Sequence, residues 1–323
     1  MRYDDLKLPV SVDLRSSIDT VYSQSTTPSC GAHAVINAIE CMYDNATTHS
    51  DKQRFSRAFV WWYTRSYQGL EGQNVGSTFD SLKLALENKG VCYETAHPWY
   101  LYNEKPKDTA ISSAIKGFKL DRFNFGVDKP DTISKMKYTL ASGFPLIYRF
   151  QTNSSISYLG SNWKTHKIEL NEQLGSHYAL IVGYDDTCQR FLIENSWGSD
   201  YADGGFFGIE YKDILDARLY EEIAIITSLP IEPKAVKGLI MPTAFILTQD
   251  KVRQFDMLQD NLKAMIQNEL ETKGIQAAVD VCKYWKLSDK TVEALFSLQR
   301  GTVRNLKNLN QSINFDGFIF EQP

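Results

Sequence analysis
The sequence predicts an α+β protein: a helical segment, then an antiparallel sheet, then a second helical segment. Two patterns carry that expectation. From Cys30 to about Tyr43, small and apolar residues recur at Ala34, Val35, Ala38, Ile39 and Met42, the three-and-four spacing of a buried helical face. After about residue 110 the pattern shifts to short β-branched or aromatic runs separated by turn residues, the mark of antiparallel strands. At 323 residues the chain is too long for one small core, so two or three lobes are expected.

Taken in order, residues 1 to 23 read as an extended lead-in, with Pro9 and the alternating "VSVDLR". The helix opening at Cys30 follows. Two more helical stretches are expected at roughly 55 to 67 ("FSRAFVWWYTRSY") and 77 to 89 ("STFDSLKLALENK"). Gly90 closes the second as a C-cap, and "EGQNVG" is a loop between them. The strand candidates are "PLIYRF", "HYALIVGYDD", "RFLIENSW", "GGFFGIEY" and "EIAIIT". Beyond Pro230 the helical pattern returns, from about Lys251 to "QRGTVRNLKNLN". There is no internal repeat and no low-complexity tract.

Composition removes several classes of function. A net charge of −4 argues against a nucleic-acid binder driven by counterion release, so no nucleic-acid partner is expected. No apolar run approaches the ~20 residues that span a bilayer. The start, "MRYDDLKLPVSVDLR", has no basic cap, apolar stretch or small-residue cleavage site, so no secretory signal is read there. Five scattered cysteines with no CxxC pair fit a reduced compartment and offer no zinc site. No metal and no cofactor are expected.

Cys30 is then the residue to explain, in "QSTTPSCGAHAVINAIECMY". A thiol at a helix N-terminus meets unpaired N–H groups and the positive end of the dipole, which favour the thiolate. His177 supplies the base such a nucleophile needs. It opens "SHYALIVGYDD", and a turn around Asp186 to Gln189 returns the chain through "FLIENSW". An antiparallel hairpin brings residue 177 beside residues 195 to 197, where Asn195 can hold the imidazole. His33 is expected buried in the Cys30 helix, and His49, His97 and His166 are expected to be solvated.

These residues resemble the papain-like cysteine peptidases, from about Leu8 to Thr227. "LPVSVDLR" looks like the family's mature N-terminus, and "ENSWGSDYADGGFFGI" resembles its asparagine motif. The resemblance implies a two-lobe fold within residues 1–230, with a helical lobe over about 24–110 and an antiparallel β lobe over about 111–228. It implies a Cys30, His177, Asn195 triad, with Gln24 as an oxyanion donor beside the Cys30 N–H. Trp197 matches the tryptophan that shields the histidine–asparagine hydrogen bond from water. Gly76 matches a glycine whose backbone pairs with extended peptide, and Ser77, Thr78 and Tyr178 fall near the main specificity pocket.

The departures are specific. Thr27 and Gln73 stand where the family often has a disulfide beside the active site, which resembles its bacterial-type branches. Pro28 replaces a usual glycine, Gly31 a frequent tryptophan and Tyr201 another tryptophan. Tyr178 replaces a small residue, which reads as either a narrowed pocket or a plain core tyrosine. Only seven residues precede the mature-like start, so either no zymogen step is needed or restraint comes from elsewhere, with residues 231–323 the natural suspect. That segment carries ten basic and seven acidic residues between 251 and 310, and reads as a helical accessory domain offering a surface to a protein partner. The expected activity is peptide or isopeptide hydrolysis on a peptide or protein substrate. Acyl transfer or glutamine deamidation by the same triad, and an inactive fold serving as a binding module, are the alternatives. A cytoplasmic location, or export without a cleavable signal as for a bacterial effector delivered to a host, fits the chain's start.

Overall fold
The computed structural model describes residues 8–46, 54–123 and 132–230. The chain divides into two compact units, Met1–Lys237 and Gly238–Pro323, and the described residues belong to the first. The accessory helices expected over 231–323 lie outside the described residues, as does His49.

The lead-in forms β1 (Ser11–Asp13), and the helix expected from Cys30 is α1 (Cys30–Ala46). Nearly every side chain of α1 from Cys30 to Met42 is buried, with Ala32, Val35, Ile36, Ala38 and Ile39 fully so. A helix apolar on most of its circumference must be covered on most sides. Here α1 packs on α2 (Arg57–Tyr67) on one side, and on β3 (Leu146–Asn153), β4 (Gln173–Asp185) and β7 (Tyr220–Ser228) of the sheet on the other.

Ser56 caps α2 by accepting from Phe59 N, which satisfies one of the orphan N–H groups of its first turn. Thr78 and Ser81 form a reciprocal capping box for α3 (Phe79–Leu84), which runs on as a π turn over Ala85–Lys89. Gly90 ends it at φ 75°, and a Cβ there would lie 1.9 Å from Ile115 O, so glycine is required twice over. Phe59, Tyr63, Ala85, Cys92 and Ala110 make a small core for this helical lobe, the last from α4 (Asp108–Ser112).

The sheet adds β2 (Lys119–Arg122), β5 (Arg190–Glu194) and β6 (Phe206–Glu210) in the order β2-β7-β3-β4-β5-β6, with β1 paired to β4. All pairings are antiparallel. Two short helices, α5 (Thr132–Ala141) and α6 (Ser154–Ser157), flank β3 and were not read from the sequence. The β4–β5 hairpin turns at Asp186–Gln189, where Gln189 takes φ 55°. Between Ile181 and Gly183 the register slips by one residue. Because a strand alternates faces, that bulge decides which residues of upper β4 share a face with those following β5.

Candidate active site
Cys30 is the first residue of α1, and the first helical hydrogen bond runs from His33 N to Ser29 O at 3.1 Å. The N–H groups of Cys30 and Gly31 therefore have no partner within the helix. His177 lies on β4 and Asn195 directly follows β5. Cys30 and His177 face each other across the junction of α1 and the sheet, close enough for each to shift the other's ionisation.

The orientation of His177 follows from bonding alone. Asn195 Oδ1 accepts the backbone N–H of Ser196 at 2.8 Å, so that atom is an oxygen. His177 Nε2 lies 2.8 Å from the same atom and must therefore donate. Nδ1 is left to face the thiol. Phe150, the cross-strand neighbour of His177, meets its ring edge-on at 5.6 Å between centroids, and Trp197 lies over it at 5.1 Å. The imidazole is thus held between two aromatic rings and is 5% exposed.

The charges of the pair oppose their burial. Desolvation alone would raise the Cys30 thiol and lower His177. The mutual charge and hydrogen bond outweigh it, with backbone N–H groups of Tyr178 and Gly31 assisting the thiolate and Asn195 assisting the imidazolium. The thiol ends below its ordinary value and the imidazole above it, as expected for a thiolate–imidazolium pair. The other buried thiols among the described residues go the other way. Burial pushes Cys92 up to about 12 and Cys41 well above its usual range.

Gln24 sits on a loop that runs beside residues 196–198, with Gln24 N bonded to Ser196 O and Gly198 N to Tyr22 O. Ser196 Oγ donates to Gln24 Oε1 at 2.6 Å, and Gln24 Nε2 donates to Thr27 O at 2.7 Å. One amide hydrogen of Gln24 remains for another acceptor.

The expected substrate residues are placed unequally. Gly76 and Thr78 are exposed and Ser77 is half-buried. A Cβ on Gly31 would meet Leu82, Ser77 and Tyr178 at 3.0, 3.1 and 3.3 Å, so all three crowd the residue after Cys30. Tyr178 itself is buried, and its hydroxyl donates to Glu222 Oε1 at 2.6 Å. Of the histidines, His33 is buried as expected and His166 is exposed. His97 is not solvated: it is 2% exposed, set against Phe59. Ser56 Oγ donates to its carbonyl, which ties the residue to the start of α2 beside the Phe59 ring.

Phe150 and Ser196 touch site residues yet were not singled out from sequence. For Phe150 the signal was available, since "PLIYRF" alternates as a strand that must pair with a neighbour. Among the described residues no group of three or more His, Cys, Asp or Glu side chains could hold a metal ion. No helix among them is long and apolar enough to cross a membrane.

A helical lobe and an antiparallel sheet meeting at a thiol–imidazole pair define a thiol peptidase architecture. Residues 8–225 match the family model described as papain family cysteine protease, and the chain belongs to that family. It is 28% identical over 218 residues to an uncharacterized peptidase C1-like protein of Acanthamoeba polyphaga mimivirus, covering 63% of this chain and 68% of that protein. Against cysteine proteinase 2 of Zea mays it is 26% identical, over 65% of this chain and 58% of the maize protein. Among solved structures, xylellain, a cysteine protease from Xylella fastidiosa, superposes with a TM-score of 0.57 at 26% identity. That match covers 68% of this chain and 86% of xylellain. The digestive procathepsin L 3 of Tenebrio molitor shares the fold, with a TM-score of 0.54 at 20% identity over 70% of this chain and 73% of that one.

Proposed function
We propose that the chain is a cysteine peptidase that hydrolyses peptide or isopeptide bonds through Cys30, His177 and Asn195, with Gln24 as oxyanion donor. The observation that carries this reading is the placement of Cys30, first residue of α1, against His177, whose Nε2 donates to Asn195 Oδ1.

In this mechanism the Cys30 thiolate attacks the scissile carbonyl carbon. The carbonyl electrons move onto oxygen, where the Cys30 N–H and the free amide hydrogen of Gln24 stabilise the charge. His177 gives its Nδ1 proton to the amine as the C–N bond breaks, leaving a thioester. His177 then takes a proton from water, whose oxygen attacks the thioester, and the acid leaves as the thiolate–imidazolium pair is restored. Asn195 acts through His177 by holding its ring, and Trp197 covers that bond. Gly76 offers backbone to an extended peptide, with Ser77, Thr78 and Tyr178 bounding a narrow side-chain site. Residues 1–230 would constitute the peptidase unit, and residues 231–323 an accessory surface for a protein partner.

An epoxide or vinyl-sulfone peptide tests the assignment directly. It should label Cys30 and spare Cys41, Cys92 and Cys188, whose thiols are raised by burial. Mass spectrometry of the digested adduct reads the outcome, and even labelling of all thiols would sink the reading.

A further inference from the structure
A line of buried side chains leads from the turn that carries Gln24 back into helix α1. Thr27 Oγ1 lies 2.6 Å from Gln24 O, Ser29 Oγ 2.8 Å from Thr27 Oγ1, and His33 Nδ1 3.2 Å from Ser29 Oγ. The same Nδ1 is 3.1 Å from Ser29 O. Thr27, Ser29 and His33 are all at most 8% exposed.

The direction of every bond can be deduced. Gln24 O is a carbonyl and can only accept, so the single Thr27 hydroxyl hydrogen goes there. At the next contact Ser29 must donate, because Thr27 has no hydrogen left. Ser29 Oγ then has only lone pairs to offer His33, so Nδ1 carries the hydrogen. The Ser29 carbonyl makes the same demand of the same atom. His33 is neutral, since burial and the nearby Arg57 charge push it down to about 3, so this tautomer persists across the working pH range. Its ring is fixed by an edge-on contact with Trp99 at 4.8 Å.

We propose that Thr27, Ser29 and His33 form a one-way hydrogen-bond relay that positions Gln24, holding its amide at a set distance from the Cys30 N–H. The inference rests on the reading of Gln24 as an oxyanion donor. Its reason is mechanical. The two donors lie on different elements, one on a turn and one at the start of α1. That turn is strained, with Ser25 at φ 53°, and Thr27 N closes it on Gln24 O at 3.2 Å. A non-glycine residue in the left-handed region is held there by its surroundings. Thr27 contributes both a backbone and a side-chain bond to the same carbonyl, and Ser29, the residue preceding the nucleophile, ties it to His33 of α1. The tie is made of hydrogen bonds alone, so it is independent of redox conditions.

The test is a double-mutant cycle on the full chain, with Thr27→Val, Gln24→Ala and the pair. Thr27→Val keeps the side-chain shape and deletes only the hydroxyl. It should lower kcat by about 10- to 10²-fold with KM little changed, since it misplaces a donor without removing it. In the Gln24→Ala background the same change should cost nothing further, and Thr27→Ser should restore wild-type kcat. Alkylation of Cys30 by iodoacetamide, which needs no oxyanion donor, should proceed at the wild-type rate in Thr27→Val. His33→Phe provides a second entry if Thr27→Val does not fold, with the same non-additivity expected. Equal losses in both backgrounds would mean a general packing role and overturn the relay, as would a Thr27→Val enzyme with unchanged kcat while Gln24→Ala is impaired. Full turnover by Gln24→Ala would instead remove the oxyanion assignment itself, and the relay with it.

Discussion

The pairing of Cys30 with His177 sets the pH range over which the protein holds its charged form. The thiol is lowered and the imidazole raised, so the ion pair exists between the two and titrates as a unit. Asn195 contributes to the upper edge, because its Oδ1 accepts from the protonated ring and so favours the cation. Asn195→Ala should therefore let His177 lose its proton at a lower pH. The alkaline limb of a kcat/KM profile should move toward acid, while the acid limb, governed by the thiol, moves less. On the proposed reading His177→Ala should abolish activity at every pH, since no group would be left to move the proton. An Asn195→Ala profile with an unmoved alkaline limb would refute this role. At this scale the sequence was most legible for the placement of residues in short motifs, as with His177 beside Asn195. It was least legible where a side chain's role depends on a distant partner. Ser196 reads as one letter of "NSWG", and only the folded chain shows its hydroxyl on Gln24.

Helix α1 and strand β4 meet through a complementary pair, Gly31 on the helix and Tyr178 on the strand. The β-branched runs of "HYALIVGYDD" and the small-residue face of α1 announced both elements, but not how they interlock. The bulge between Ile181 and Gly183 has Gly183 as its one local signal, a residue also required by the close approach of Val12 O, and it sets which face upper β4 presents. The phenol of Tyr178 is pushed up by burial and by Glu222, so it stays protonated and donates to that carboxylate. Glu222 is also paired with Arg149 and Arg122. On the proposed reading, the Tyr178 ring limits the side chains that can settle beside Ser77. Tyr178→Ala should open that space and uncover Glu222. Profiling with a peptide library should then show bulky and basic side chains gaining by about 10-fold or more relative to small ones, the worth of 1–3 kcal/mol in a pocket. An unchanged preference would mean that Tyr178 is core and bounds no substrate site.

Across the whole of the described unit, helical lobe and sheet are joined by a buried charge network that no local pattern foretold. Arg57 of α2 reaches Glu40 at 2.9 Å and Asn37 at 2.6 Å, both on α1, and stacks on the Tyr22 ring at 3.5 Å. Asn37 Nδ2 in turn donates to Glu194 Oε1 of β5 at 2.8 Å. Glu194 is 1% exposed, and its other oxygen has no hydrogen-bond partner. Glu40 pairs directly with Arg57, while Glu194 reaches it only through Asn37, and Cys41, Asp44 and Arg54 line the same small space. Burial pushes Glu194 up to about 8 against an ordinary 4.5, with Arg57 opposing and Glu40 reinforcing the shift. The folded chain consequently holds a proton at Glu194 that the unfolded chain releases above pH 4.5. Stability should therefore fall as pH rises from about 4.5 to about 8, where the unfolded state binds fewer protons than the native one. Glu194→Gln keeps the acceptor for Asn37 and cannot ionise. Its stability relative to wild type should increase with pH through that window, by at least about 1 kcal/mol at the upper end. Below pH 4.5 the two proteins should differ little. Urea unfolding of both at matched pH values reads the difference. A constant offset between them from pH 4.5 to 8 would show that Glu194 is already ionised in the fold, paired through Asn37 to Arg57 as an anion.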